Sequence, residues 1–294
     1  MKYQLKNDEI TVAFDTLGGQ LTSIRDNTGT EYLWQGDKAY WGGQAPVLFP
    51  IVGSLRNKKA VIGGDKICNM ERHGVVRRME FDPEEITGDS ITFSVCSNEE
   101  TRARYPYDFQ LKIKYTVSGR DITTKYIVIN QSGTVLPFQI GGHPAFNCPL
   151  GGEERFEDYT VEFEQEETAD CPTSVPETGL VDVDRRTRIL DHSRAIQLKH
   201  DLFRVDALIF DRLRSKKAKL FHPGTGRGVQ ITFADFENLL VWSSANGGPF
   251  VALEPWNGLS TCSDENDVFE QKRGVCLLPE GQQTTFSFMI RILG

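Results

Sequence analysis

Apolar and polar residues alternate with a period of two along most of the chain. In the clearest stretch Phe109, Leu111, Ile113, Tyr115 and Val117 fall on one side, with Gln110, Lys112, Lys114, Thr116 and Ser118 on the other. That spacing predicts a strand with one buried and one wetted face, because successive side chains of an extended chain point to opposite sides. The turn residues Ser118-Gly119-Arg120-Asp121 and the β-rich run from Ile122 to Asn130 continue it into a long hairpin. The same period recurs at Ile10, Val12 and Phe14; at Ile91, Phe93 and Val95; at Tyr159, Val161 and Phe163; at Val229, Ile231 and Phe233; and at Phe286, Phe288, Ile290 and Ile292. Helical signals are confined to Asn98–Arg104, stopped by Pro106, and to Ser263–Glu270 with Ser263 or Asp264 as cap. Glu164–Arg188, polar and acidic with Pro172 and Pro176, is expected to be a long surface loop. With no internal repeat and no linker, residues 1–294 are expected to form one all-β domain, a large antiparallel β-sandwich.

Composition narrows the function classes. The 18 Phe, 8 Tyr, 27 Gly and 13 Pro fit many short strands joined by turns. A net charge of -8 argues against nucleic acid as a partner. The start, MKYQLKNDEI, has no apolar core of a signal peptide, and no apolar run approaches the roughly 18 residues of a membrane span, so the protein is expected to be cytoplasmic and unattached to membranes. Cys68, Cys96, Cys148, Cys171, Cys262 and Cys276 are scattered without C-x-x-C spacing, which favours reduced, mostly buried thiols over a zinc site or disulfide framework.

Three segments carry candidate chemistry. In Phe250-Val251-Ala252-Leu253-Glu254-Pro255-Trp256-Asn257-Gly258 a strand puts Phe250, Ala252, Glu254 and Trp256 on one face. Pro255 favours a strand end there, with Glu254 entering a cleft. A carboxylate beside an aromatic plate suits a sugar, whose C–H face packs on a ring while its hydroxyls need acceptors; a turn-bonding glutamate is the plainer alternative. In Gln139-Ile140-Gly141-Gly142-His143-Pro144-Ala145-Phe146-Asn147, two glycines and a proline bracket a histidine just after a strand. The third segment, Glu71-Arg72-His73-Gly74-Val75-Val76-Arg77-Arg78, taken alone reads as a solvated loop, and strand alternation would send Arg77 and Arg78 to opposite faces. His192 and His200 fall in a polar connection. His222-Pro223-Gly224-Thr225-Gly226-Arg227-Gly228 precedes a strand, not a helix, and is a hairpin turn and not a phosphate loop. The basic residues Arg212, Arg214, Lys216, Lys217 and Lys219 read as a solvated turn.

Taken in order, His73-Gly74 with its arginines, Gly141-Gly142-His143-Pro144-Ala145-Phe146, Asp206-Ala207-Leu208-Ile209-Phe210 and Leu253-Glu254-Pro255-Trp256-Asn257-Gly258 resemble the aldose 1-epimerase (mutarotase) family, closest to its LacX-like branch. The resemblance runs from Leu17-Gly18-Gly19-Gln20-Leu21 to the final strand. It implies the galactose mutarotase-like super-sandwich and interconversion of the α and β anomers of an aldose, with a small sugar as partner and no metal or organic cofactor. Carried onto this chain, it makes Glu254 the general base, His143 the general acid, and His73 a partner that binds the ring oxygen or shares the acid role. It makes Arg56 and Asp206 substrate-binding candidates, to which the aromatic plate Trp256 and the guanidinium of Arg77, following His73-Gly74, are added from their own segments. The galactose-specific branch has asparagine before arginine in its early basic motif, whereas Gly53-Ser54-Leu55-Arg56-Asn57 has the reverse order. Three other readings stay open: a hexose-6-phosphate 1-epimerase using Arg77 or Arg56, a carbohydrate-binding sandwich without catalysis, and a glycoside hydrolase with Asp206 or Asp264 as second carboxylate.

Overall fold

The computed structural model describes residues 1–294, and strands dominate it. One antiparallel sheet has nine strands in the order Leu180–Gln197, Thr160–Val175, Lys217–Phe221, Gly228–Thr232, Gln283–Leu293, Asp121–Asn130, Phe109–Ser118, Ser90–Cys96 and Asp82–Ile86. A six-stranded sheet is built around Phe250–Asn257, flanked by Asn238–Trp242 and Leu208–Phe210 on one side and by Ile140–Gly142 and Val47–Leu48 on the other; Ala145–Asn147 also pairs with the central strand. The sheets meet face to face: Phe163 packs on Phe210 with ring centroids 5.1 Å apart, and Phe109 on Phe49 at 4.9 Å. A three-stranded sheet of Lys2–Lys6, Ile10–Asp15 and Gln20–Asp26 adds Val12 and Phe14 to the same core, a contiguous cluster of 67 buried apolar residues. The architecture is the large antiparallel β-sandwich expected from the alternation.

The alternation at 109–117 translates directly into burial. Phe109, Leu111, Ile113, Tyr115 and Val117 are all buried and their neighbours are not, and the hairpin closes with Ser118 opposite Asp121. Asn98–Arg104 becomes the helix Glu99–Arg104, whose Asn98 Oδ1 accepts from the Thr101 amide while Thr101 Oγ1 accepts from the Asn98 amide. The 222–228 segment is the expected hairpin turn, with His222 Nδ1 accepting from the amides of Gly224 and Thr225.

Glu164–Arg188 is not a loop. It belongs to two long paired strands, Thr160–Val175 and Leu180–Gln197, whose register shifts break the period that would have revealed them. Beyond Phe163 the first of these strands has lost its second neighbour, so Pro172 occupies an edge, where its missing N–H costs no ladder bond. Its inward positions also include Glu167, whose carboxylate is buried and accepts from the Ser215 amide and hydroxyl, each at 2.7 Å. His192 lies in the second strand and His200 in a short 3-10 turn, stacked on Phe156.

Ser263–Glu270 likewise departs from expectation, with a single 3-10 turn at Phe269–Gln271. Ser263 Oγ is taken by the Val183 amide and Asp264 by the Arg273 guanidinium, so neither caps a helix. Part of the basic run, Lys217–Phe221, is a strand, and Lys217 and Lys219 pair with Glu164 and Glu162. All six cysteines are unpaired. No helix is long and apolar enough to cross a membrane.

Candidate active site

The central strand Phe250–Asn257 divides its side chains as its alternation requires. Val251 and Leu253 enter the main core, whereas Phe250 and Ala252 join Trp34 on the opposite face, with Glu254 and Trp256 further along it. The strand does not end at Glu254; it continues through Pro255 to Asn257. What Pro255 marks is a gap along one flank. Ala145–Asn147 pairs with residues 250–252 and Ile140–Gly142 with 256–257, leaving His143 and Pro144 to fill the interval. The Leu253 amide donates to the Pro144 carbonyl at 3.1 Å, and the N–H that Pro255 lacks would have pointed into the same gap. His143 is thereby set against Glu254, with Nε2 3.3 Å from Oε2.

Glycines allow this approach. A Cβ on Gly141 would lie 2.9 Å from the Trp256 ring, and one on Gly142 2.9 Å from the Phe288 ring. His73 reaches the same place from a segment whose middle, residues 73–76, is buried while Glu71, Arg72 and Arg78 stay exposed, so the solvated-loop reading holds only for its ends. Its amide donates to the Gly53 carbonyl at 2.8 Å, and its Nδ1 accepts from the Gly53 amide at 3.1 Å. That contact leaves Nε2 as the protonated nitrogen of the neutral ring. His73 adopts a left-handed backbone, φ 71°, as does Gly74, where a Cβ would come 2.2 Å from the Phe49 carbonyl oxygen. The two imidazoles stand edge to face with centroids 5.5 Å apart.

These groups line a cavity of about 260 Å³, with Trp41, Trp242 and Trp256 as aromatic walls and Leu240 and Ala207 beside them. Asp206 lines it too and faces Arg72, whose Nη2 is 3.5 Å away. Arg77 reaches the cavity from a 3-10 turn, Val76–Arg78, not from a strand; it has no carboxylate partner, and Arg78 is not part of the lining. Of the substrate-binding candidates only Arg56 is elsewhere. Its guanidinium is held by Asp267 at 2.7 Å and by the carbonyls of Cys262 and Glu265, in a neighbouring cleft. Asp264 is also outside the cavity, committed to Arg273.

The sequence reading did not single out Arg72, Trp41 or Trp242. Arg72 adjoins His73 and was available as a signal, but nothing local to Trp41 or Trp242 brings them to this cavity. No group of three or more His, Cys, Asp or Glu side chains is arranged to hold a metal ion.

Burial dominates the electrostatics. It pushes the His143 pKa down to about 3, aided by the positive charge of Arg72, and holds His73 well below the ordinary histidine value, aided by His143 and Arg72. Burial raises the Glu254 carboxyl well above the usual range, an effect that Arg72 opposes and Asp206 reinforces. Glu254 Oε2, His143 Nδ1 and Trp256 Nε1 are buried without hydrogen-bond partners in the protein. The site therefore holds polar capacity that a hydroxylated ligand can satisfy.

An acid-stability prediction follows. The unfolded chain protonates its histidines near 6.5, before folded His143 does at about 3, so the His143 contribution to stability is full above that range and falls as pH drops from 6.5 towards 3. The difference in unfolding free energy between wild type and His143→Asn, which isolates this contribution from the opposite pH dependence of Glu254, is expected to change by a few kcal/mol across this window. An identical pH slope in that variant would contradict the assignment.

The chain as a whole has counterparts among known proteins. A family model for aldose 1-epimerase matches residues 1–271. The chain is 45% identical over 298 residues to the plasmid-borne LacX protein of Lactococcus lactis subsp. lactis, covering 100% of each. A solved galactose mutarotase related enzyme from Lactobacillus acidophilus is 30% identical, with TM-score 0.94, covering 99% of this chain and 97% of that one. A galactose mutarotase-like protein from Lactobacillus casei ATCC 334 is 26% identical, with TM-score 0.89 and coverage of 99% and 100%. The residue pattern, the sandwich and these matches agree, and the chain belongs to the aldose 1-epimerase family, placing it among the isomerases that act on sugars.

Proposed function

We propose that the protein interconverts the α and β anomers of a free hexose by opening and reclosing the sugar ring. The observation that carries this reading is the contact of His143 Nε2 with Glu254 Oε2 at 3.3 Å inside a tryptophan-walled cavity. Ring opening needs a base for the anomeric hydroxyl and an acid for the ring oxygen. Glu254 and His143 together can hold one proton; when it resides on the histidine, the carboxylate and the imidazolium are ready as base and acid. Glu254 takes the proton from the hydroxyl on C1, His143 gives one to the ring oxygen, and the bond between C1 and that oxygen breaks. The free aldehyde turns about the C1–C2 bond, and reclosure on its other face returns both protons. No group is consumed. The Nε2–H of His73, fixed by the Gly53 amide, supplies a hydrogen bond suited to the ring oxygen. Trp256 offers both a ring face and an unpaired N–H to the sugar.

Arg77 favours a second reading, because a half-buried guanidinium without a carboxylate partner suits a phosphoryl group. Against it, Arg72 is already matched by Asp206, and the net charge of -8 repels a dianion at long range.

Polarimetry on glucose, galactose and their 6-phosphates, at low and moderate salt, decides between the two. Free hexoses are expected to exchange well above the buffer rate, with no salt-sensitive preference for the phosphates. A large preference for a phosphate, lost in Arg77→Ala, would replace the free sugar with the phosphorylated one.

A further inference from the structure

His143 differs from an ordinarily anchored catalytic histidine in one respect. The second ring nitrogen of such a residue is usually hydrogen-bonded, which fixes ring plane and tautomer. Here Nδ1 is buried with no hydrogen-bond partner on any other residue, so no neighbouring group sets the direction in which Nε2 points by a hydrogen bond. What lies on the ring is the Trp41 indole, stacked nearly parallel at 20° with centroids 4.7 Å apart. Trp242 meets both rings edge-on, at 5.5 Å from His143 and 5.4 Å from Trp41.

Trp41 is itself held. Its carbonyl accepts from Trp34 Nε1 at 2.8 Å, and the Ala39 carbonyl accepts from Asn246 Nδ2 at 2.8 Å. Its indole folds back over Gly43, where a Cβ would come within 2.3 Å of the ring. Only a residue without a side chain leaves room for that fold.

We propose that Trp41 is the positioning residue of the acid catalyst: its indole face holds the His143 imidazole in the plane that directs Nε2 to Glu254, and supports the imidazolium formed during turnover. An aromatic face favours a cation above it, most strongly in a site shielded from water. The histidine thus gains from the ring what burial withholds. The proposal rests on the proton-transfer reading of Glu254 and His143.

The test uses the full-length protein and five variants, Trp41→Phe, Trp41→Leu, Gly43→Ala, Glu254→Gln and, for assignment, His143→Asn, with anomer exchange measured on glucose and galactose. Loss of the indole face is expected to lower kcat about 10- to 100-fold with KM within about threefold, because misdirecting a proton-transfer group costs rate, not affinity. Trp41→Phe is expected to restore most of that loss, and Gly43→Ala to resemble Trp41→Leu without altering the tryptophan. The His143 Cε1 proton, assigned by its absence in His143→Asn, reports the stacking independently. Its upfield ring-current displacement is expected in the wild type and in Trp41→Phe, and is expected to be lost in Trp41→Leu and Gly43→Ala.

Lost displacement with kcat within twofold of wild type would overturn the proposal. So would a tenfold rise in KM at unchanged kcat, which would make Trp41 a sugar platform only. A wild type without exchange, or a Glu254→Gln variant with full activity, would overturn the proton-transfer reading itself, and with it the proposal.

Discussion

Glu254→Gln is expected to lower anomer turnover by about 10²- to 10⁴-fold while sugar affinity stays within a few-fold, since the amide keeps the shape and loses the ability to take a proton. The same variant is expected to unfold at higher temperature near neutral pH. Burial raises the Glu254 pKa well above its unfolded value, so the folded state holds a proton that the unfolded state has released, and stability declines as pH rises from about 4.5 through the raised value. Glutamine has no such cost, and its advantage is expected to vanish below about pH 4.5, where the carboxyl is protonated in both states. Retention of half the activity would remove Glu254 from the chemistry, and an unchanged melting temperature at neutral pH would contradict its electrostatics.

The second large effect is expected far from the sugar. Lys272 is buried, donating from Nζ to Glu265 Oε2 and to Thr261 Oγ1, each at 3.0 Å. Glu265 in turn accepts from the amides of Cys262 and Arg273. Lys272→Met would leave the buried Glu265 carboxylate with only the half-exposed Arg273 guanidinium, 3.3 Å from Oε1, and is expected to cost up to about 3 kcal/mol. Replacing Glu265 as well, in Lys272→Met with Glu265→Leu, is expected to recover part of that loss. Urea unfolding of the two variants checks this, and a single-variant cost below about 1 kcal/mol would contradict it. The pair bears on the site through a chain of contacts. The Thr261 amide donates to the Ser54 carbonyl and Ser260 Oγ accepts from the Ser54 amide, anchoring the strip whose Gly53 holds His73.

The strands that build the core were legible because a two-sided sheet imposes a period of two, as at 109–117 and again in the split between Val251 and Glu254. Thr160–Val175 and Leu180–Gln197 were not, since register shifts interrupt the alternation and Glu167 finds its partner in Ser215, 48 residues away. In the site, Glu254 and His143 could be read from their own segments: a carboxylate on a strand face, and a histidine bracketed by Gly-Gly and Pro. His73 could not be separated from a solvated loop by local pattern alone, because its burial depends on hydrogen bonds to Gly53. Ordered resemblance supplied what spacing lacked. It also named Arg56, whose guanidinium the structure places outside this cavity, bonded to Asp267 and two carbonyls. Trp41 and Trp242 were illegible because only the packing of distant segments brings their rings to His143.

The central claim is that this cavity moves protons on a sugar's anomeric centre, and exchange NMR on the anomeric protons of glucose and galactose tests it most directly. With wild-type protein, cross-peaks between the α and β signals are expected at mixing times where buffer alone shows none, and they are expected to disappear with Glu254→Gln at equal concentration. Absence of cross-peaks with the wild type for both sugars and their 6-phosphates, or their persistence in Glu254→Gln, would contradict it.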